Sequence, residues 1–352
     1  MMKQMKKIGV LTSGGDAPGM NAAVASIARF AAFYGMTLVG IKRGYNGLLR
    51  RSASLRNDVE ELELDTVLDI ADQPGTYLRT ARCDEFRDPA WRAKAVEHIH
   101  DLALEGLVVI GGDGSYQGAM RLCELGVPCI GIPGTIDNDL AYTEMTMGYD
   151  TAVNSCVDDI RAIRATSRAH DRPAVVEVMG RHSGDIALKA AVSTGAEIVL
   201  VPEVSWSVHH VAERLSSLIA QGNSRVTVVV AEGAYASMQP FDMAEFLNAR
   251  GKLCYPGKPI SAVRLASILK RMCDVEARAT VLGYTQRGRR PSAHDSSFAF
   301  EAGHLAVRLL VNGISNQVVG IRDARIFHMP ISDALACKRP FNKELYQLVN
   351  SL

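Results

Sequence analysis

Residues 133–139 read PGTIDND, and two carboxylates, Asp137 and Asp139, fall within the last three positions. Acids this close together at the end of an apolar run can take a proton from a hydroxyl and pair with a cation, which is what a phosphoryl acceptor site needs. Arg82, in RTARCDEF, offers a cation for charge on a transferring group. Two glycine-rich stretches suit the anion itself: SGGDAPGMN (Ser13–Asn21) and GGDGS (Gly111–Ser115). Glycine lets backbone amides come close, and a helix that follows aims its positive end at the ligand. Asp113, between glycines, is placed to hold Mg2+, a hard cation that takes one or two carboxylates plus phosphate oxygens. It is equally suited to capping a helix that begins near Ser115. No Walker-type GxxxxGK(S/T) loop occurs. Arg172 in HDRP, Arg181 in MGRHSGD, Arg278 in EARATVLG and Arg287 in TQRG lie at expected loop positions, with Glu232 after VTVVVAE. Guanidinium forks match phosphate oxygens and a carboxylate accepts sugar hydroxyls, so this set suits a phosphosugar. Any one of these arginines alone also suits a solvated surface charge.

Such residues need a frame that brings them to one side. Eight short apolar runs end in Gly, Pro, Thr or an acid, beginning at Ile8, Leu38, Leu107, Cys129, Ala174, Glu197, Val226 and Ala279. They are continuous rather than alternating, which suits strands covered on both faces in largely parallel sheets. Helical character is expected between them, over Asn21–Tyr34, Trp91–Leu104, Thr151–Arg168, Ser261–Cys273 and Phe298–Asn312. Strand alternating with helix predicts doubly wound α/β layers, whose ligands sit beyond the carboxyl ends of the strands. The length of 352 residues suits about two domains. A net charge of +1 leaves no global basic field for nucleic acid or an acidic membrane, so any anion site is local. The seven cysteines include no C-x-x-C pair, which argues against a zinc knuckle or disulfide framework and suits a reducing cytoplasm. The apolar stretch near the amino terminus is too short for a signal peptide or membrane span.

Taken together and in order, TSGGDAPGMN, VVIGGDGS, PGTIDND, VEVMGRHSGD, RATVLG-x-x-QRG and KRPF resemble the ATP-dependent 6-phosphofructokinase family over nearly the whole chain. The resemblance implies two doubly wound three-layer αβα domains with mostly parallel sheets. Residues 1–147 plus about 288–335 would bind ATP, and 148–287 plus about 336–352 would bind fructose 6-phosphate. It implies transfer of the γ-phosphoryl of MgATP to the sugar 1-hydroxyl, in a cytoplasmic homotetramer whose active sites are shared between subunits. Asp137 is then the general base, with Thr135, Ile136, Asp139, Arg181 and Arg82 about the reacting groups. Gly15, Arg82, Cys83, Gly112, Gly114 and Ser115 would contact ATP, and Asp113 would hold the metal. Met179, Gly180, Arg181, Glu232, Tyr284 and Arg287 would meet the sugar phosphate, with Arg172 and Arg278 reaching in from a neighbouring subunit.

Pyrophosphate-dependent relatives typically carry Asp after GGD and Lys before TIDND, where this chain has Gly114 and Gly134, so ATP is favoured. A kinase of the wider superfamily acting on NAD or lipids would leave TIDND, MGRHSGD and QRG unexplained. A catalytically silent nucleotide-binding subunit is opposed by the intact Asp113, Asp137 and Arg181. Three positions depart from the family: Tyr284 replaces a histidine, Arg289 a glycine, and a glycine is expected near Arg79. The family's effector site for ADP or phosphoenolpyruvate is thinned. Arg29, Arg164 and Glu197 remain, but Ala25 stands for an arginine and Gln221–Ser224 for a lysine-rich loop, unless Arg50 or Arg51 supplies charge instead.

Overall fold

A computed structural model of the chain describes residues 5–49, 58–239 and 261–351. Arg50 and Arg51 lie outside the described residues. In chain order the described strands are β1 (Lys7–Thr12), β2 (Thr37–Ile41), β3 (Val59–Glu61), β4 (Gly106–Gly111), β5 (Cys129–Pro133), β6 (Ala174–Val178), β7 (Ile198–Leu200), β8 (Thr227–Ala231), β9 (Arg278–Val281), β10 (Gln317–Arg322) and β11 (Arg325–Pro330). All eight apolar runs form strands. The chain divides into two compact units, Met1–Thr151 with Arg287–Arg339, and Ala152–Gln286 with Pro340–Leu352.

The sheet of the first unit runs β11-β10-β5-β4-β1-β2-β3, parallel except at its two edges, where β3 and β11 are antiparallel to their neighbours. Every residue of β4 and β5 is buried, because helices cover both faces and leave no solvent side for polar residues to occupy. Leu11, Val39, Ile41, Leu107 and Val109 enter one core with Tyr45, Tyr116 and Leu122. The alternate residues face the other way. There, α1 (Met20–Phe33) packs against the helix Ala293–Val311. Gly303 permits their close approach, since a Cβ on it would stand 2.7 Å from the Ser26 side chain. From β1 the chain order runs outward in both directions, to β2 on one side and to β4 and β5 on the other. That reversal puts the ligand crevice of the sheet beyond the carboxyl ends of β1 and β4.

The second unit holds the all-parallel sheet β7-β8-β6-β9, packed by the helices Asp185–Thr194 and Ala262–Cys273. Its strand order reverses at β6. The helix α5 (Tyr149–Ala169) begins in the first unit, where Asp295 receives the donors of its first turn. Asp295 Oδ1 accepts from Gly148 N at 2.9 Å, and Oδ2 accepts from Thr151 N at 2.8 Å and from the Thr151 hydroxyl. The remaining links are Ser292 N to Thr151 Oγ1 at 2.8 Å and Ser292 Oγ to Asp150 Oδ2 at 2.6 Å.

Burial pushes the Asp295 carboxyl above the usual range, although the bonds from Thr151 and Gly148 oppose it. An acid with a raised folded pKa stabilises the fold fully below its unfolded value, about 3.9, and loses that stabilisation as pH rises through the folded value. Asp295→Ala is expected to cost about 3 kcal/mol, because it strands buried N–H groups. Asp295→Asn should cost less and flatten the decline in stability as pH rises above about 4. Urea unfolding across that pH range measures both effects. Equal stability of Asp295→Ala and wild type would contradict this reading.

Candidate active site

The turns Ser13–Asn21 and Gly111–Ser115 follow β1 and β4, at the reversal of strand order. They meet backbone to backbone. Ser13 N donates to the Ile110 carbonyl at 2.9 Å, and the buried Ser115 hydroxyl lies 3.4 Å from the Ser13 carbonyl. A Cβ on Gly111 would stand 2.6 Å from that carbonyl and overlap the Ser115 hydroxyl, so only glycine fits. Ser115 therefore holds the turn together. Gly112 caps α4, a helix over Asp113–Glu124, and Asp113 and Gly114 are exposed in its first turn. Gln117 Nε2 donates to Asp113 Oδ2 at 2.6 Å, and a Cβ on Gly114 would meet open space. The Arg287 guanidinium lies against Gly15, at 3.1 Å from where its Cβ would stand, and donates to the Asp16 carbonyl.

The PGTIDND turn follows β5 and is tied into the same floor. Gly134 N donates to the Gly111 carbonyl at 3.0 Å, and Thr135 N to the Met147 carbonyl at 3.2 Å. The Thr135 hydroxyl accepts from Asp137 N at 3.2 Å, while its carbonyl accepts from the Thr146 hydroxyl at 2.6 Å. Asn138, buried with φ of 50°, uses Oδ1 to accept from Thr146 N at 3.1 Å. These bonds leave Ile136 buried, Asp137 half-buried and Asp139 exposed. The segment bearing Arg82 and Cys83 is strapped on by Thr12 Oγ1 to the Arg79 carbonyl at 2.9 Å and Thr80 Oγ1 to the Gly14 carbonyl at 2.8 Å. Arg82 is exposed and Cys83 half-buried. Arg79 adopts φ of 56°, a conformation that favours glycine, so the turn is kept at the expense of backbone strain.

In the second unit the loops after β6, β8 and β9 share the carboxyl end of the sheet. Met179 N donates to Gln286 Oε1 at 3.0 Å, and Arg181 N to Glu232 Oε1 at 2.9 Å. Gly180 has φ of 137° and Arg181 φ of 53°, backbone states of the kind that cluster at functional turns. A side chain on Gly233 would collide with the Arg181 carbonyl, so the β8 loop also depends on glycine. Arg181 and Glu232 are exposed, and Tyr284 is 82% exposed.

The five charged residues expected to serve one phosphosugar do not form one cluster within the chain. Arg278 begins β9, in register with Ala174 at the start of β6, and Arg172 lies two residues before Ala174. Both therefore lie at the amino ends of β6 and β9, in a parallel sheet whose carboxyl-end loops carry Arg181 after β6 and Glu232 after β8, about 13 Å away along β6. They flank Glu276, whose carboxyl Lys270 chiefly, then Arg278 and Arg172, hold below the usual range. Arg287 belongs to the first unit. At the thinned effector position, Arg164 Nη1 and Nη2 reach Glu197 at 3.1 and 3.2 Å, and Glu197 also accepts from Thr227 N at 2.8 Å and Asn223 at 3.2 Å. Ala25 is buried in α1 and Arg29 is exposed.

Gln286, Asn138 and Gly233 were not singled out from the sequence. A neutral amide or a glycine announces no chemistry by type, and their roles depend on partners as far as 130 positions away. Among the described residues no cluster of three or more His, Cys, Asp or Glu can hold a metal, and no helix is long and apolar enough to cross a membrane. Asp113 still fits Mg2+, which needs a single carboxylate when phosphate and water supply its other ligands.

A family model described as phosphofructokinase matches residues 7–310. The chain is 45% identical over 348 residues to an ATP-dependent 6-phosphofructokinase of Clostridioides difficile strain 630, covering 99% of both. It is 44% identical over 348 residues to the enzyme of that name from Bacillus thuringiensis strain Al Hakam, again with 99% coverage of both. The T-state phosphofructokinase of Pichia pastoris aligns with a TM-score of 0.81 at 31% identity, over 96% of this chain and 36% of that one.

Proposed function

This chain belongs to the phosphofructokinase family, and from that premise we propose that it is an ATP-dependent 6-phosphofructokinase. It transfers the γ-phosphoryl of ATP to the 1-hydroxyl of fructose 6-phosphate, in glycolysis. The observation that carries this reading is the meeting of three glycine turns, after β1, β4 and β5, at the reversal of strand order, with Asp137 on the third. The first unit serves ATP and the second the sugar phosphate.

Asp137 takes the proton of the attacking hydroxyl, its backbone fixed by Thr135 and by the Asn138 clamp. The exposed guanidinium of Arg82 and that of Arg181 stabilise charge on the transferring group. Gly15, Cys83, Gly112 and Gly114 border the nucleotide, with Ser115 acting through the turn it ties. Met179, Gly180, Glu232 and Tyr284 border the sugar. The Tyr284 phenol supplies one hydrogen bond where an imidazole could also carry charge. The Arg287 guanidinium donates from one nitrogen to the Asp16 carbonyl and keeps further N–H donors for the sugar phosphate. Mg2+, held by Asp113 and the nucleotide, would neutralise charge on the phosphate oxygens. Arg172 and Arg278, at the amino ends of their strands, complete the site of a neighbouring copy in a cytoplasmic homotetramer.

Formation of fructose 1,6-bisphosphate, coupled to a reporter enzyme, with fructose 6-phosphate and either ATP or pyrophosphate as donor, tests the whole reading. Turnover with ATP supports it. Turnover with pyrophosphate alone would place the chain in the other branch, and none with either would make it a regulatory subunit.

Asp137→Asn should lower kcat by about 10²–10⁴ with both KM values little changed. Near-normal turnover in that variant would remove Asp137 from the role of base. Gly114→Asp should raise the KM for ATP and leave the fold intact, since its side chain enters open space. Gly134→Lys is a poor companion test: its Cβ would meet Ile110 at 2.9 Å and Met20 at 3.0 Å, disturbing the core first. Unchanged ATP kinetics in Gly114→Asp would refute the crowding account.

ADP and phosphoenolpyruvate should shift half-saturation for fructose 6-phosphate weakly or not at all. Glu197 is already occupied by Arg164, Asn223 and Thr227, and Ala25 and Gln221–Ser224 stand where an arginine and a lysine-rich loop would bind a phosphorylated effector. Initial-rate curves with millimolar effector that show a large shift would contradict this.

A further inference from the structure

We infer that Gln286 is a positioning residue that fixes the Met179–Arg181 turn by binding its first backbone amide. This rests on the assignment of that turn to the sugar phosphate. Gln286 is fully buried in the second unit, at the end of the short turn Gly283–Gln286 that follows β9. Its Oε1 accepts from Met179 N at 3.0 Å and from the Cys156 thiol at 3.1 Å, and its Nε2 donates to the Gly283 carbonyl at 2.9 Å. One side chain thus joins α5, the β6 loop and the β9 turn.

An amide meets every group here: two donors converge on its oxygen and a carbonyl waits at its nitrogen, whereas a carboxyl of the same length keeps only the acceptor end and an apolar chain keeps neither. The turn it serves has few other restraints of this kind. Arg181 N is held by Glu232 and Ser183 N by the Gly180 carbonyl at 2.8 Å, so Met179 N is where the turn joins the buried interior. Gly180 and Arg181 both have positive φ, and a turn built from such states keeps its shape only while its surroundings over-determine it. Loss of the Gln286 acceptor would therefore let Arg181 wander without altering any group assigned to touch the ligand. Tyr284 stands in the same short turn as Gln286, so the family's replaced histidine position and the Arg181 turn share one anchor.

Gln286→Leu removes both functions of the amide, whereas Gln286→Glu keeps the acceptor and loses only the donor to Gly283. Amide exchange at Met179, which needs no activity, is measured alongside KM for each substrate and thermal stability. In Gln286→Leu, Met179 should exchange about tenfold faster or more, and KM for fructose 6-phosphate should rise about tenfold with KM for ATP unchanged. Gln286→Glu should recover most of both. Unchanged Met179 exchange in Gln286→Leu overturns the inference, as does a parallel rise of both KM values with lost thermal stability. Should Gln286→Leu fail to fold, Gln286→Glu decides: protected Met179 with near-normal sugar KM supports the inference, and unprotected Met179 overturns it. A wild type with no sugar-dependent turnover would instead sink the phosphofructokinase reading, while the exchange data still decide whether Gln286 anchors the turn.

Discussion

A parallel strand has two ends, and a ligand at one cannot be touched from the other. In both units that constraint sorts most of the functional candidates. The turns after β1, β4 and β5 carry the glycines and acids of the first unit, and the turns after β6, β8 and β9 carry Met179, Arg181, Glu232 and Tyr284 in the second. Arg172 and Arg278 fall at the opposite end of the second sheet, set there by the register of Ala174 with Arg278. Side-chain reach does not bridge five residues of strand. The same geometry that collects one site excludes two cations that resemble part of it.

Within each collection, backbone contact rather than side-chain charge sets the shape. Gly111 lies against the Ser13 carbonyl, Gly134 bonds the Gly111 carbonyl, and Gly233 lies against the Arg181 carbonyl. Arg79, Asn138 and Arg181 are left-handed residues with side chains at or beside these turns. Each such residue costs about 1–2 kcal/mol against an ordinary conformation, so the sheet and its hydrogen bonds must hold it. Asp295 plays a matching part on the far side of the PGTIDND turn, where it fixes the start of α5.

Much of this was legible in the residues. Continuous apolar runs gave eight strands, seven of them buried, because a strand covered on both faces has no polar alternation to obscure it; β9 departs from that expectation, being largely exposed at the edge of its sheet. The strands β3, β10 and β11 were not read, since they are short or at the antiparallel side of the sheet and carry mixed burial. The helix over Asp113–Glu124 was only half visible: DGSYQGAM looks like turn chemistry, and its glycines serve contacts such as Gly118 against Tyr45. The motifs pointed to candidate residues, and the runs that begin at Ala174 and Ala279 already leave Arg172 and Arg278 at the amino ends of their strands. Gln286, by contrast, gives no sign that its amide joins three segments.

Arg172 and Arg278 lie too far from the carboxyl-end loops of their own chain to serve them; the proposed site takes them from a neighbouring copy, and subunit mixing tests this most directly. An Asp137→Asn chain and an Arg172→Ala/Arg278→Ala chain, each inactive alone, are dissociated together and reassembled. Activity with ATP and fructose 6-phosphate should return in the hybrids, where intact arginines of one chain meet the intact Asp137 of the other. Hybrids that form, as seen by native mass spectrometry, yet stay as inactive as either parent would contradict the account.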